Sequence, residues 1–493
     1  MTSEATAVPG VGVTVEYNVP ATMRDGTTLY ADVYRPEGDG PWPVILMRLP
    51  YDKTSAENIS YADPSWYARQ GYLVVVQDVR GTAASDGEFV PFQHEAEDGY
   101  DTIEWAAAQP WSNGRVGMFG GSYQGITQWA AAIARPPHLV CITPLTSTWT
   151  SFGDDLLYAA PGVMALSGAL SWAWGAVLDE ANRRGVAAPA GALHHGEESS
   201  ADTPAGDVAE AVARRAEQQR AMYDHRPLRD LPELGLLSWW KDWCDHSDPT
   251  DPYWTVSSAV DHLVDLDLPV LHVSGWYDLF LRGTVDAFQQ LRRYGSTAET
   301  RGAQELVVGP WHHGGMCPPR PDAPADHGAP LGLWDLSPGS PTMTFLDRHL
   351  KGIDSGPVAP VRVFVMGANR WRHEAEWPLP STEWTPWYLR SDGHANTAGG
   401  DGWLSIEPPG EEPADVYVDD PADPVPSAQR LEAYAPDHGA ETAAAADRAD
   451  VLVYDSRPLD ADIEVVGPIH VELWAASSVV DTNLVVKLVD VFP

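Results

Sequence analysis

The strongest constraint on this chain is a set of short, uninterrupted apolar runs that alternate with helical stretches. Val44-Ile45-Leu46-Met47, Tyr72-Leu73-Val74-Val75-Val76 and Arg115-Val116-Gly117-Met118-Phe119 each lack the polar residue at every second position that a strand with one wet face would show. Such strands are buried on both faces. Helical patterns lie between and after them, from Glu95 to Ala108 and again around Ile126, Trp129 and Ile133, followed by a strand near Leu139 to Thr143. This alternation predicts a mostly parallel sheet with helices on both sides. Ahead of it, Val13 to Pro36 alternates around the turn Arg24-Asp25-Gly26 and reads as an antiparallel hairpin.

The alternation stops near Trp149. From there to about His246 the sequence shows helical stretches, Ala165 to Asn182 and Ala205 to Tyr223, and no clear strand, which predicts a helical insertion. It resumes with the strand Pro269 to Val273, a helix near Arg282 to Arg293, the strand Glu305 to Val308 and a helix around Thr342 to Lys351. Beyond about Gly356 come short strand-like runs with turn residues between them: Val361 to Val365, Trp387 to Leu389, Val451 to Tyr454, Ile469 to Leu473 and Leu484 to Val489. These predict an antiparallel sandwich. The expected divisions are therefore 1–148 and 247–355 for one α/β domain, 149–246 for the insertion and 356–493 for the sandwich.

With 493 residues, several domains are expected. The net charge of −39 repels nucleic acid and anionic membrane surfaces, so neither is expected as a partner. The cysteines Cys141, Cys244 and Cys317 are too scattered for a disulfide framework, and no Cys-x-x-Cys pair suggests a metal site. The N-terminal residues lack the basic and apolar regions of a secretory signal, and no apolar run approaches a membrane span, so a soluble cytoplasmic protein is expected.

The chemistry centres on Gly120-Gly121-Ser122-Tyr123-Gln124-Gly125, which lies between a buried strand and a helix. A sharp turn there lifts a serine hydroxyl above the sheet as a nucleophile, and small neighbours permit the strained backbone. The second glycine comes one residue later than in G-x-S-x-G; the plain alternative is an ordinary Gly-rich turn. A serine nucleophile needs a base, and the base an orienting acid, in the chain order Ser, acid, His. Asp278 follows the strand Pro269 to Val273, and His312 and His313 follow Glu305 to Val308. Asp278 could instead cap a helix, and the histidines could be a solvated loop pair. The joint order favours the catalytic reading, but spacing does not choose between His312 and His313.

The sequence resembles the family of cocaine esterase, α-amino-acid ester hydrolases, glutaryl cephalosporin acylases and X-prolyl dipeptidyl peptidases. The resemblance is carried by Leu49-Pro50-Tyr51-Asp52-Lys53, by Gln77-Asp78-Val79-Arg80-Gly81 with Ser85 to Phe89, and by the G-x-S-Y-x-G segment at Gly120. Gly275-Trp276-Tyr277-Asp278, Gly309-Pro310-Trp311-His312-His313, Phe345 to Arg348 and Val365 to Trp371 extend it over nearly the whole chain. It implies an α/β-hydrolase domain with a helical cap insertion and a C-terminal jelly-roll β-sandwich. The sandwich looks shorter than is usual in the family, so an incomplete one is expected. Family members read G-P-W-x-H, which selects His313. The late glycine is then expected as well.

The resemblance implies that His313 takes the proton of Ser122 while Asp278 orients the imidazole, and that the Tyr123 N–H and the Tyr51 hydroxyl bind the oxyanion. No cofactor or metal is implied. Phe280 matches an aromatic residue of the acyl pocket, with Trp172 in the cap as a looser match; either is more often a core residue by type. Asp154 and Asp155 are candidates for holding a substrate ammonium. The expected partner is a small-molecule ester or amide, with homo-oligomerisation left open. Two alternatives stand beside an ester or amide hydrolase: an X-prolyl dipeptidyl peptidase, and an inactive carbohydrate-binding jelly-roll protein.

Overall fold

The computed structural model describes residues 5–8, 12–55, 63–153, 156–160, 162–188, 220–313, 315–316, 339–425 and 445–491. The chain divides into two compact units, the first running to His373 and the second comprising the described parts of 374–425 and 445–491.

The first unit is built on one large sheet. Its strands in chain order are β1 (Ala5–Val8), β2 (Val13–Thr22), β3 (Thr28–Pro36), β4 (Trp42–Leu49), β5 (Leu73–Asp78), β6 (Ser112–Gly121) and β7 (Leu139–Leu145). After a short hairpin of β8 (Tyr158–Ala160) and β9 (Val163–Met164) come β10 (Val270–Tyr277), β11 (Gln304–His312), β12 (Gly315–Met316), β13 (Val361–Val365) and β14 (Arg370–Glu374). The order across the sheet is β1-β2-β3-β5-β4-β6-β7-β10-β11-β13-β14, with β12 also on β11. β2 pairs antiparallel with β3, and β3 with β5. From β5 through β4, β6, β7, β10 and β11 to β13 every pairing is parallel.

The apolar runs are continuous because helices cover both faces. Successive side chains point to opposite sides. Ile45 and Met47 join Val74, Val76 and Phe119 in one core, closed by Tyr67 and Tyr72 and by Phe345, Leu346 and Leu350. Val44 and Leu46 join Leu73, Val75, Val116 and Met118 in the other, closed by Ile103, Trp129 and Leu291. The covering helices are α1 (Pro64–Arg69), α2 (Glu95–Ala107) and α3 (Tyr123–Ala134), with Leu281–Tyr294 and Pro341–Leu346 later in the chain. Asp63 starts α1 by accepting from the Ser65 N–H at 2.7 Å, ahead of Pro64 in the first turn.

The insertion contains α4 (Leu166–Arg184), which ends at Gly185 with φ +64°, the left-handed conformation that a glycine adopts without strain. A helix Ser238–Asp245 follows. Both pack in a separate aromatic cluster with Trp174, Trp239, Trp240, Trp243 and Trp254. The hairpin β8–β9 is a correction to the all-helical expectation; strands of two or three residues carry too little periodicity to be read. Of the helix expected over 205–223, residues 205–219 lie outside the described residues.

Two further expectations change. Val361–Val365 is a strand, but it pairs parallel with β11 and extends the central sheet instead of joining a sandwich. By compactness the second unit begins at Glu374. In that unit Tyr388–Arg390 pairs antiparallel with Trp403–Ser405, and Leu452 makes a single bridge to Asn396. The runs 469–473 and 484–489 are not in strands. A strand needs a neighbour to take up its N–H and C=O groups, and no described strand lies alongside them.

Candidate active site

Ser122 stands at the turn from β6 into α3, with φ +55° and ψ −126°. A residue with a side chain pays roughly 1–3 kcal/mol for such a backbone, so the surroundings must hold it. They do so through the Ser122 N–H, which donates to the carbonyls of Leu145, the last residue of β7, at 3.0 Å and of Thr146 at 3.2 Å. The flanking glycines have steric causes. Gly120 has φ +125°, and a Cβ there would meet the Gln124 side chain at 2.7 Å. A Cβ on Gly125 would meet Cβ of Ser147 at 2.3 Å. The late glycine is thus set by the close approach of α3 to the loop after β7.

His313 Nε2 lies 3.0 Å from Ser122 Oγ, and His313 Nδ1 lies 3.2 Å from Asp278 Oδ2. With Nδ1 protonated, the imidazole donates to the carboxylate and offers Nε2 to the serine hydroxyl. The Asp278 side chain is inaccessible to solvent, and its Oδ1 accepts from the Phe280 N–H at 2.7 Å. The Phe280 ring stands edge-on to the His313 ring, 5.3 Å between centroids, and is buried. Phe280 therefore packs on the imidazole, as well as being placed beside the reacting groups. His312 remains in the sheet, in register with Tyr277 and Gly315; the residue after it reaches Ser122.

These groups meet because β6, β10 and β11 present their C-terminal ends on one side of a parallel sheet, where α/β folds place ligands. β10 and β11 approach closely at Gly275, where a Cβ would lie 2.1 Å from the Trp311 carbonyl oxygen. The register shifts at that point, between Gly275 and Tyr277, re-aiming the chain into Asp278.

Tyr51 follows β4 and is half-buried; its hydroxyl accepts from the Trp172 indole N–H at 3.0 Å. Its loop is fixed by a buried ion pair. Lys53 Nζ lies 2.7 Å from Asp78 Oδ2, and the Lys53 N–H donates to Asp78 Oδ1 at 2.7 Å. Burial pushes the Asp78 carboxyl up and the Lys53 cation opposes this. Tyr123 opens α3, where backbone N–H groups lack helical acceptors. Its side chain joins a buried network. The Tyr123 hydroxyl donates to Glu95 Oε1 at 3.0 Å and accepts from the Phe92 N–H at 3.0 Å, while Glu95 Oε2 takes the Arg48 guanidinium at 2.9 Å. Arg48 is wholly buried and also donates to Gln77 Oε1 at 2.9 Å. The Arg48–Glu95 and Lys53–Asp78 pairs were beyond sequence reasoning. The one signal was a charged residue inside or just after a strand otherwise buried on both faces.

Trp172, on α4, stacks on Tyr123 with centroids 5.8 Å apart and rings 4° from parallel. It lines a cleft together with Tyr51, Phe89, Leu237 and Trp239. Ser122 and Phe280 are not on that cleft's wall. Asp154 and Asp155 lie outside the described residues. Among the described residues no group of three or more His, Cys, Asp or Glu is placed to hold a metal ion, and no helix is long and apolar enough to cross a membrane.

A mostly parallel sheet with helices on both faces and a serine on a strained strand–helix turn is the architecture of the α/β-hydrolases, and the class is that of the serine hydrolases. The chain belongs to the family that joins X-Pro dipeptidyl peptidases and cocaine esterase. Residues 25–315 match the family described as X-Pro dipeptidyl-peptidase (S15 family), and residues 356–493 match its C-terminal non-catalytic domain. The cocaine esterase of Rhodococcus sp. strain MB1 Bresler is 38% identical over 494 residues, covering 97% of this chain and 80% of that protein. Two solved structures share the fold. An α-amino acid ester hydrolase has a TM-score of 0.64 at 23% identity, covering 94% of this chain and 75% of its own. An aminopeptidase from a marine sediment Thaumarchaeota archaeon has a TM-score of 0.65 at 24% identity, covering 93% and 74%.

Proposed function

We propose that this enzyme cleaves carboxylic ester or amide bonds of small molecules through an acyl-enzyme on Ser122. The observation that carries the reading is the continuous line from Ser122 Oγ to His313 Nε2 at 3.0 Å and from His313 Nδ1 to Asp278 Oδ2 at 3.2 Å. His313 takes the hydroxyl proton as Ser122 Oγ attacks the carbonyl carbon, and Asp278 stabilises the imidazolium that forms. The tetrahedral oxyanion is held by the Tyr123 N–H and the Tyr51 hydroxyl. The Tyr51 hydroxyl accepts from the Trp172 indole N–H, so Trp172 does not compete for the Tyr51 proton. His313 returns its proton to the leaving group, and water then attacks the acyl carbonyl with His313 again as base. Phe280, and Trp172 from the cap over 149–246, contribute aromatic surface to the acyl pocket, and the region from 356 onward takes no part in the chemistry.

The test is covalent labelling with a fluorophosphonate. Wild type is expected to label at one residue and Ser122→Ala to lose both the label and ester turnover, by roughly 10⁴-fold or more. Label retained in the variant would exclude Ser122.

The match of residues 25–315 to the X-Pro dipeptidyl peptidases supports a second reading, the same groups acting on a peptide with a free N-terminus. The identity to cocaine esterase, over more of the chain, favours the ester. Turnover of p-nitrophenyl acetate against an X-Pro p-nitroanilide separates the two, with faster ester hydrolysis expected. An inactive carbohydrate-binding protein would show neither activity nor label.

A further inference from the structure

We infer that Trp172 is a positioning residue that ties the helical cap to both oxyanion donors, beyond any part it plays as a pocket wall. This rests on the reading of Tyr51 and Tyr123 given above. One indole touches both tyrosines. Its N–H donates to the Tyr51 hydroxyl at 3.0 Å, and its ring lies 4° from parallel to the Tyr123 ring at 5.8 Å. A phenol hydroxyl has one proton and two lone pairs. With one lone pair taken by the indole N–H, rotation about the C–O bond is restricted and the proton is left aimed elsewhere. Accepting a hydrogen bond also polarises the O–H and strengthens it as a donor.

The indole is itself held. Its ring packs against Trp243 at 5.7 Å and 26°, and Trp239 and Phe89 flank it at 5.5 and 6.2 Å. Tyr123 is also held by Phe92, stacked on it at 5.5 Å, and by the Glu95 carboxylate on its hydroxyl. The path from α4 through Trp172 to Tyr51 and Tyr123 is therefore a chain of direct contacts within the first unit. A preorganised donor stabilises a developing oxyanion without reorganising during the reaction. The cap thereby sets the turnover of every acyl group and does more than select among them.

The test compares wild type, Tyr51→Phe, Trp172→Phe and the double variant on p-nitrophenyl acetate and p-nitrophenyl benzoate. Each rate is divided by the concentration of active sites titrated with a fluorophosphonate, so unfolded protein does not enter. Phenylalanine keeps an aromatic face and removes the N–H. Trp172→Phe is expected to lower kcat by on the order of tenfold on both esters, with KM for the acetate little changed. In the Tyr51→Phe background the same change is expected to cost less than about twofold, because the hydroxyl it serves is gone. A loss confined to the benzoate, or losses that multiply in the double variant, would overturn the positioning role and leave Trp172 as a pocket wall. Unchanged kcat in Tyr51→Phe would instead overturn the oxyanion reading of Tyr51, a distinct outcome.

Discussion

Two runs in this chain read almost alike. Leu73-Val74-Val75-Val76 in the first unit and Leu484-Val485-Val486 in the second are both apolar, a leucine followed by β-branched valines. The first is strand β5, wholly buried between β3 and β4. The second is not in a strand, and Val485 is 81% exposed. The residues' own preferences are equal, so the difference comes from their neighbours. β-propensity expresses packing on a pleated surface and requires that surface to exist. In the first unit the strands inside the large sheet, β5 among them, find partners on both sides. In the second, the described pairing is one two-stranded ribbon and isolated bridges.

The contrast can be broken by substitution. The largest stability loss is expected from Arg48→Met. It leaves Glu95 buried without its cation, which typically costs about 3–5 kcal/mol. Urea unfolding measures it, and a loss below about 1 kcal/mol would mean that the network is not what holds α2 and α3 to the sheet. A smaller effect is expected from pH. Burial pushes the His272 imidazole, on β10, down to about 4 from 6.5. Between those values the unfolded chain binds a proton that the folded chain excludes, so stability falls as pH drops through that window. The contribution is about 3 kcal/mol at most, and urea midpoints at pH 7 and 4.5 should converge in His272→Gln relative to wild type. The smallest effect belongs to the second unit. Val485→Thr should change stability by less than about 0.5 kcal/mol, whereas a loss above about 1.5 kcal/mol would show that this side chain is buried after all.

The same contrast explains what could be read without a structure. Val44 to Met47 and Val116 to Phe119 announced a sheet buried on both faces because helices cover it and leave no polar position. Ser122 and Asp278 could be proposed from the residues because each follows a strand and the chain order Ser, acid, His is fixed by the sheet's topology, whereas His313 was chosen over His312 by the family resemblance alone. Val361 to Val365 could be read as a strand but not assigned to a sheet, since membership depends on β11, some fifty residues away. Trp172 was selected as pocket aromatic surface; its bond to Tyr51 spans 121 positions and leaves no local trace. Arg48 and Glu95, and Lys53 and Asp78, are likewise partners that only the folded sheet introduces.

The separation within the site has a consequence for biosynthesis. Ser122 and His313 are 191 positions apart, and their meeting depends on β11 pairing onto β10 beside β7. Closing a loop of that length costs about 5 kcal/mol of chain entropy by the usual scaling, and the completed sheet offsets it. In the mechanism proposed above, a ribosome-bound chain that has not yet exposed His313 has no base to activate Ser122. That mechanism has hydrolysis switch on late in synthesis, so that the emerging polypeptide carries no active nucleophile past its neighbours while its own core is still open.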